Sequence, residues 1–237
     1  MARDIKGSLT VIKNLAVGGN VTSGTWQGNI IDTAYLPSIV NNSVSAYKNV
    51  LDYASLSAAV TAIGSSTKTT LVIPSSVAVT TNLTIPANIT IHRTNTGVFN
   101  ISSGQTLTIQ GPISAAPYQL FTGSGIVRFT SNASVTAYYV QWWGAVGDNV
   151  TDDTAAIQAA IDAVPSANCA LRSLSTANHV ISSTLTILNR HSWQFGSEDY
   201  LSYGPSLRWS GTSGGTLLNV LDCTQVLIKG LGFNLLT

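Results

Sequence analysis

Two kinds of hydrophobic pattern alternate along this chain. Apolar residues recur at helical spacing within residues 56–63 and again within residues 157–164, and each set forms one face. The spacing predicts two amphipathic helices, which end at Gly64 and before Pro165. Most other apolar residues fall in short, often β-branched runs with polar turns between them, which predict strands. These runs are TLVI 70–73, VAVT 77–80, LTI 83–85, ITI 89–91, VFNI 98–101, LTI 107–109, IVRFT 126–130, HVIS 179–182, TLTIL 184–188, SWQF 192–195, SLRWS 206–210, TLLNVLD 216–222 and QVLIKGLGFNLL 225–236.

The pattern divides the chain into three sections. Residues 1–50 contain many turns around a few large apolar residues, and predict a small β-rich segment that needs a partner surface or copies of itself. Residues 51–140 and 141–237 each begin with a helix followed by strands, and each contains a V/I-x-x-x-L-T-I run. Repeated short strands with polar turns are typical of solenoids, whose open ends need covering. We therefore expect a helix-capped β-rich domain in 51–140 and the start of a β-helix in 141–237.

The composition narrows the class of protein. Charged residues make up 9% of the chain, against about 25% in a typical domain, and the net charge is +1. The 11 Lys and Arg are scattered, which argues against nucleic-acid binding. We expect no transmembrane helix, because no apolar run is long enough, and no signal peptide, because the start lacks an apolar core. Cys169 and Cys223 are expected to be reduced and buried.

Acidic residues, although scarce, concentrate just before the second helix. Asp148 follows a glycine as in a turn, Thr151 or Asp152 is a good helix N-cap, and Asp153 in the first turn favours the helix dipole. A Ca²⁺ or catalytic site is the alternative, but the spacing lacks a calcium-loop pattern and Asp152 and Asp153 diverge on a helix. We interpret the cluster as structural, and expect no metal and no cofactor.

The segment WWGAVGDNVTDDTAAIQAAIDA resembles the opening signature of the pectate-lyase-like superfamily, F-G-A-x-G-D-G-x-T-D-D-T-x-A-I-x-x-A-I. Trp143 stands for the usual Phe and Asn149 for the usual Gly. The Pro-x-Gly-x-Tyr turn that often follows is replaced by CALRSLSTANHVISSTL. The segment GNVTSGTWQGNIIDTAYL is similar to repeats of phage tail fibres. The resemblance implies a mainly β fold, with a right-handed parallel β-helix and short capping helices after a small attachment segment.

The resemblance also implies a function. Bacteriophage tailspikes are members of this superfamily, so we expect a structural virion protein, a tail fibre or tailspike or its N-terminal part. Such a protein is usually a homotrimer, is made in the host cytoplasm, joins other tail proteins through residues 1–50, and meets a host-surface glycan. Trp26, Ile30 and Tyr35 are the candidate attachment anchors. Because the chain stops at apolar Leu235 and Leu236, we expect further coils or another chain to cover that end.

Two other function classes stay open. A polysaccharide depolymerase, either lyase or glycosidase, usually needs paired carboxylates. The candidates on the β-helix section are Glu198, Asp199 and Asp222, but Glu198 and Asp199 are neighbours in a loop-like stretch. We expect no catalysis within these 237 residues. A non-catalytic carbohydrate-binding module would use Trp142 and Trp143 as a sugar platform, whereas packing between the two sections is the interpretation we favour for them. His92, His179 and His191 show no metal-binding spacing.

Overall fold

The computed structural model describes residues 47–94, 96–130, 133, 135, 137–197 and 204–235. The chain divides into two compact units, Met1–Asn41 and Asn42–Thr237, and all described residues belong to the second. The predictions made for residues 1–46 therefore lie outside the described residues, and so do those for Glu198, Asp199 and Leu236.

Both predicted helices are present. Helix α1 spans Leu56–Ile63 and begins where Ser55 Oγ accepts a hydrogen bond from the Ala58 amide at 3.1 Å, an N-cap contact. It ends at Gly64, whose φ of 72° is easily reached by glycine. Helix α2 spans Thr154–Ala163, and Ile157, Ala160 and Ile161 of its predicted apolar face are buried. No helix within the described ranges is long and apolar enough to cross a membrane.

The first ten strands, called here the first stack, pair only in parallel. Each strand from β2 to β7 pairs with the strand three places later in the chain, and β1 pairs with β2. This pairing builds three sheets that the chain visits in turn. The strands are β1 Tyr47–Asn49, β2 Thr69–Ile73, β3 Ser76–Val79, β4 Leu83–Ile85, β5 Ile89–Arg93, β6 Val98–Ile101, β7 Thr106–Ile109, β8 Ile113–Ser114, β9 Phe121–Gly123 and β10 Ile126–Phe129.

The other ten strands, called the second stack, repeat the plan. Each strand from β13 to β17 pairs in parallel with the strand three places later, while β11 and β12 start two of the three sheets. The strands are β11 Tyr138–Tyr139, β12 Asp148–Asp152, β13 Ala170–Arg172, β14 Asn178–Ile181, β15 Leu185–Leu188, β16 His191–Gly196, β17 Ser206–Trp209, β18 Leu218–Leu221, β19 Thr224–Lys229 and β20 Gly232–Leu235. The prediction of a mainly β chain is confirmed, with parallel sheets.

Rows of like side chains follow from this register. Ile85 on β4 lies beside Ile109 on β7, which lies beside Phe129 on β10, and all three are buried. The residue before Ile85 and the residue before Ile109, both threonines, form a row on the opposite, outward face. Because side chains alternate across a strand, this register gives these three strands an apolar row inside, and gives β4 and β7 a threonine row outside. Each buried large apolar side chain contributes roughly 1.5–3 kcal/mol to folding.

Helix α2 lies between the two stacks. It contacts β10, near the end of the first stack, and both β14 and β15, early in the second. The 3-10 turn Val140–Trp143 contacts both β9 and α2. We expected this helix to cover the start of the second stack. It does contact that stack, but it also contacts the end of the first stack.

Candidate functional site

The acidic cluster at the start of α2 is where buried polar chemistry concentrates. Asp153 occupies the N-cap position, but its side chain makes no capping bond to the helix. Its carboxylate turns away from the helix and accepts from the Val146 amide at 2.7 Å and the Gly147 amide at 2.8 Å. The prediction of an N-cap at Thr151 or Asp152, with Asp153 in the first helical turn, was wrong by one position, since Asp153 is the N-cap and makes no capping bond. The reason is that its carboxylate finds three donors outside the helix, one of which is His179.

His179 links the Asp153 carboxylate to Ser173, the residue directly after β13. Its Nδ1 lies 2.6 Å from Asp153 Oδ2, and its Nε2 lies 2.7 Å from Ser173 Oγ. Since an ionised carboxylate only accepts, we assign the proton between them to Nδ1. Gln141 Nε2 donates to Ser173 Oγ at 3.3 Å and extends the chain of hydrogen bonds. Four side chains from four separate places in the sequence thus form one continuous network.

The order Asp153–His179–Ser173 is that of an acyl-transfer triad, but its burial does not suit catalysis. The exposed fractions of Asp153, His179 and Ser173 are 1%, 0% and 6%. A nucleophilic serine needs space beside Oγ for a substrate carbonyl. Ser173 lines neither the groove beside α2 nor the pocket beside β5 and β8 that are described below. The arrangement can instead fix the start of α2 against β14.

Gly147 completes the support of this network. Its φ is 69°, in the left-handed region that glycine adopts without strain. A Cβ at this position would lie 2.5 Å from the Ala177 Cβ and 3.1 Å from the ring of His179. The glycine therefore allows the backbone to come close enough to His179 for its amide to reach Asp153.

The two other aspartates of the cluster, Asp148 and Asp152, accept hydrogen bonds mainly from residues close to them in the sequence. Asp152 Oδ2 accepts from Ser182 Oγ at 2.5 Å, and its Oδ1 accepts from both the amide and the hydroxyl of Thr154. The Ser182 hydroxyl is the main cause, and Thr154 the next, of a pKa below the usual aspartate value. Asp152 therefore bonds the amide of the first residue of α2 and also ties the helix to the turn after β14.

Asp148 organises the segment before the helix. It accepts from the amides of Val150 and Thr151 and from the Thr151 hydroxyl, an Asx-type turn. The Thr151 amide is the largest cause of its lowered pKa. The segment Asp148–Asp152 is strand β12, with an irregular register against β14, rather than a free turn. Asn149, at φ 69°, takes the left-handed conformation that asparagine tolerates.

The other end of α2 is held by a residue that the sequence did not single out. Arg190, before β16, is buried and donates from Nη1 to the Val164 carbonyl and from Nη2 to the Ile161 carbonyl. A cation at a helix C-terminus meets the negative end of the dipole and satisfies carbonyls that lack a partner within the helix. Its guanidinium carbon also lies 5.9 Å from the ring centre of Trp193.

Gln158, in the middle of α2, acts on the second stack. Its Oε1 accepts from the Thr186 amide at 2.8 Å, and its Nε2 donates to the Thr186 carbonyl at 3.0 Å. A primary amide carries both an acceptor oxygen and donor N–H groups, so this side chain replaces the strand that β15 lacks on that edge. A single side chain of the helix thus provides hydrogen-bond partners for the backbone amide and carbonyl of Thr186 on β15.

Trp142 and Trp143 lie in an aromatic cluster between the stacks. Trp142 is buried and donates from Nε1 to the Ala116 carbonyl at 3.0 Å. The ring centre of Trp143 lies 5.1 Å from that of Phe121 and 6.1 Å from that of Phe129. Trp143 also lines a surface groove of about 770 Å³ between the outer face of α2 and β10. The structure therefore places Trp142 in the core and Trp143 at a groove.

The weak catalytic candidates do not form a pair within the described residues. Asp222 is exposed in the turn after β18, with a φ of 51°. Glu198, Asp199, Trp26, Ile30 and Tyr35 lie outside the described residues. In the described part of the chain, no three His, Cys, Asp or Glu side chains form a metal-binding group.

The remaining histidines and the cysteines have ordinary surroundings. His92 lies 3.3 Å from Ser114 Oγ and His191 lies 2.7 Å from Thr224 Oγ1, each across paired strands. Cys169 and Cys223 are free thiols and half-buried rather than fully buried. Burial raises the pKa of the Cys169 thiol to about 12, so this thiol is not a reactive nucleophile at neutral pH.

Comparison with known proteins gives no assignment. No family of proteins, no curated protein sequence and no solved structure matches this chain. The inference of function therefore depends on the strand pairing, the motif around α2 and the geometry of its contacts.

Proposed function

We propose that the described residues form a right-handed parallel β-helix of the pectate-lyase-like type, and that the protein is a structural component of a bacteriophage tail fibre or tailspike. The observation that carries the proposal is the pairing of each strand with the strand three places later, in two stacks on either side of α2. Three parallel sheets visited in turn are what a β-helix requires. The motif that resembles the superfamily signature contains β12 and α2, near the start of the second stack.

The geometry of the motif supports this resemblance. Asn149 stands at the usual glycine position, and its φ of 69° is a conformation that glycine favours and asparagine tolerates. Asp152 and Asp153, the paired aspartates of the motif, fix both sides of the helix start. The motif residues thus hold the start of α2 in place by hydrogen bonds near the beginning of the second stack.

A structural role also fits the outer surface of the sheets. Some outward positions pair uncharged polar residues, such as Thr84 beside Thr108 and Thr186 beside Asn219. Uncharged rows avoid the repulsion that like charges would cause when strands stack in register. In the proposed assembly the protein is a homotrimer in the virion tail, residues 1–50 attach it to other tail proteins, and the β-helix faces the host-surface glycan.

The oligomeric state tests this assembly. Light scattering of the full chain should give three times the chain mass of 24.8 kDa. A stable monomer across the accessible range of concentrations would contradict the proposed homotrimer. Incubation with capsular polysaccharide or lipopolysaccharide should release no oligosaccharide, whereas release would favour the polysaccharide depolymerase, which in our proposal needs further coils with paired carboxylates.

The groove beside α2 favours a second candidate, a carbohydrate-binding module without catalysis. Trp143 is held by Phe121 and Phe129 at one side, and Asp162 on the helix supplies an exposed carboxylate. A fixed aromatic ring beside polar acceptors suits a sugar, whose faces are apolar and whose hydroxyls donate. Glycan-array binding that Trp143→Ala abolishes and Tyr47→Ala leaves unchanged would support this module. Tyr47 is an exposed aromatic residue that does not line the groove, so it serves as the matched control.

A further inference from the structure

A second pocket lies on the first stack, away from α2. It measures about 370 Å³ and is lined by the ends of β5 and β8 and by residues just before the 3-10 turn Val140–Trp143. Its polar residues are His92, Arg93, Ser114 and Tyr139, while Trp142 and Ile113 supply apolar surface. The volume is within the range of small-molecule sites. No carboxylate is among the residues that line it.

Arg93 is fixed in place without using its terminal nitrogens. Its Nε donates to the Gly97 carbonyl at 2.7 Å, and its guanidinium carbon lies 5.8 Å from the ring centre of Tyr118. Among the described residues, no hydrogen bond from its Nη atoms and no ion pair to Arg93 is found. A guanidinium held at Nε presents the remaining N–H groups as a rigid fork, which matches a carboxylate or a phosphate.

His92 and Ser114 stand beside this fork as further donors. The imidazole Nδ1 of His92 lies 3.3 Å from Ser114 Oγ, a contact that orients the ring, and within the described part of the chain Nε2 has no hydrogen-bond partner. Both residues lie in register on paired strands, since His92 on β5 is the partner of Ser114 on β8. The donors are therefore placed by sheet geometry rather than by a loop.

The distribution of charge favours an anion at this position. Residues 53–147 contain no aspartate or glutamate at all, whereas Lys68, Arg93 and Arg128 lie within them. Asp52 is the only carboxylate of the first stack among the described residues, and no ion pair joins it to Arg93 there. A cationic, partly enclosed pocket concentrates anions from solution.

We propose that this pocket binds the anionic group of a small ligand, a carboxylate or a phosphate, with Arg93 as the bidentate donor and His92 and Ser114 beside it. The apolar wall of Trp142 and Ile113 then contacts the body of the ligand. This inference is independent of the proposed tail function, since it depends only on the pocket and the charge of the first stack.

The test is isothermal titration calorimetry, which measures the heat of anion binding. The full chain is titrated with inorganic phosphate and, separately, with acetate, at constant ionic strength. One saturable site per chain is expected for at least one of the anions, and the tighter of the two identifies the class. Arg93→Gln should weaken that binding about tenfold or more, because it removes charge-assisted hydrogen bonds. Arg128→Gln removes the same charge from an exposed side chain of β10 that does not line this pocket. It should change the affinity for the anion less than about twofold.

Two results would overturn the proposal. One is the absence of saturable binding of either anion to the wild-type chain, and the other is equal weakening by Arg93→Gln and Arg128→Gln, which indicates bulk charge only. Because Arg93 also bonds Gly97, circular dichroism must show that Arg93→Gln is folded. If it is not, His92→Ala replaces it, and unchanged affinity in that variant counts against the pocket.

Discussion

The carboxylate of Asp153 and the imidazole of His179 lie 2.6 Å apart in the interior, although 26 residues separate them in the sequence. Asp153 is the N-cap residue that precedes α2, and His179 belongs to β14 of the second stack. The same carboxylate also accepts from the amides of Val146 and Gly147. One buried side chain thus fixes the position of the helix, a strand and the preceding loop relative to one another.

Removing the Asp153 carboxylate should therefore destabilise the protein strongly. Asp153→Ala leaves His179 and two amides without their acceptor in a buried place, and we expect a loss of about 3 kcal/mol in the free energy of unfolding. Urea unfolding at one fixed protein concentration measures it, since the concentration influences any oligomer. Asp162→Ala, an exposed aspartate of the same helix, is the control. Equal effects of the two variants would show that the buried network does not matter.

Asp152 should contribute less stability, and its contribution should depend on pH. Asp152→Ala removes the acceptor for Thr154 and Ser182, with an expected loss of about 1 kcal/mol at neutral pH. Its pKa in the folded protein is below the ordinary value of 3.8, so the ionised form favours the folded state.

That stability is present above pH 3.8 and is lost as the pH falls through the lower folded-state pKa. The difference between wild type and Asp152→Asn should consequently shrink in acid, as followed by thermal unfolding from pH 7 down to pH 3. A difference that stays constant or grows in acid is incompatible with this account. Bound Ca²⁺ that is lost in Asp152→Ala would contradict the structural role of the cluster.

Arg190 should stabilise the C-terminal end of α2. Arg190→Met keeps much of the buried aliphatic volume but removes the donors to the Ile161 and Val164 carbonyls, so we expect a loss of roughly 1.5–3 kcal/mol. Arg208→Met, in which the lost side chain bonds exposed Asn149 instead, is the matched control and should cost less. Chemical denaturation of both variants compares them, and a smaller loss for Arg190→Met than for Arg208→Met would refute the capping role.

Gln158 should protect the edge of β15 from solvent exchange. In Gln158→Ala the Thr186 amide loses its acceptor, so its hydrogen exchange should accelerate by about fivefold, consistent with a hydrogen bond worth roughly 1 kcal/mol. Asp162→Asn keeps both bonds between Gln158 and Thr186 and should leave that amide protected. Exchange followed by mass spectrometry or NMR reports the Thr186 region directly. Unchanged protection in Gln158→Ala would mean that the side chain does not replace a strand.

The sequence predicts the local elements well because local patterns determine them. Helix α2 shows its apolar face in the spacing of Ile157, Ala160 and Ile161, and the recurring L-T-I runs mark strands that later prove to be partners. The position of the Asp153 side chain was not predictable in this way. Its helix-cap pattern allows a local contact, but distant donors on the loop and β14 compete successfully for the carboxylate.

Long-range contacts explain the other residues that the sequence did not reveal. Arg190 bonds Ile161, 29 positions away on α2, and Ser173 bonds Gln141, 32 positions away in the 3-10 turn, as well as nearby His179. Such contacts depend on how the helix and the turn pack against the strands, which local sequence patterns do not determine. The signal available in the sequence was an arginine or serine within a β-rich segment of low charge. If such a residue is buried, it needs a hydrogen-bond partner, since charged and polar groups rarely remain buried without one.

Immunogold electron microscopy of phage particles tests the central proposal most directly. Antibodies raised against the full chain should label the tail of intact particles produced in cells that encode it, with label confined to the fibres or spikes. Particles that lack the protein should show no label. Labelling of the capsid alone, or none on intact particles that carry the protein, would contradict its assignment as a tail fibre or tailspike component.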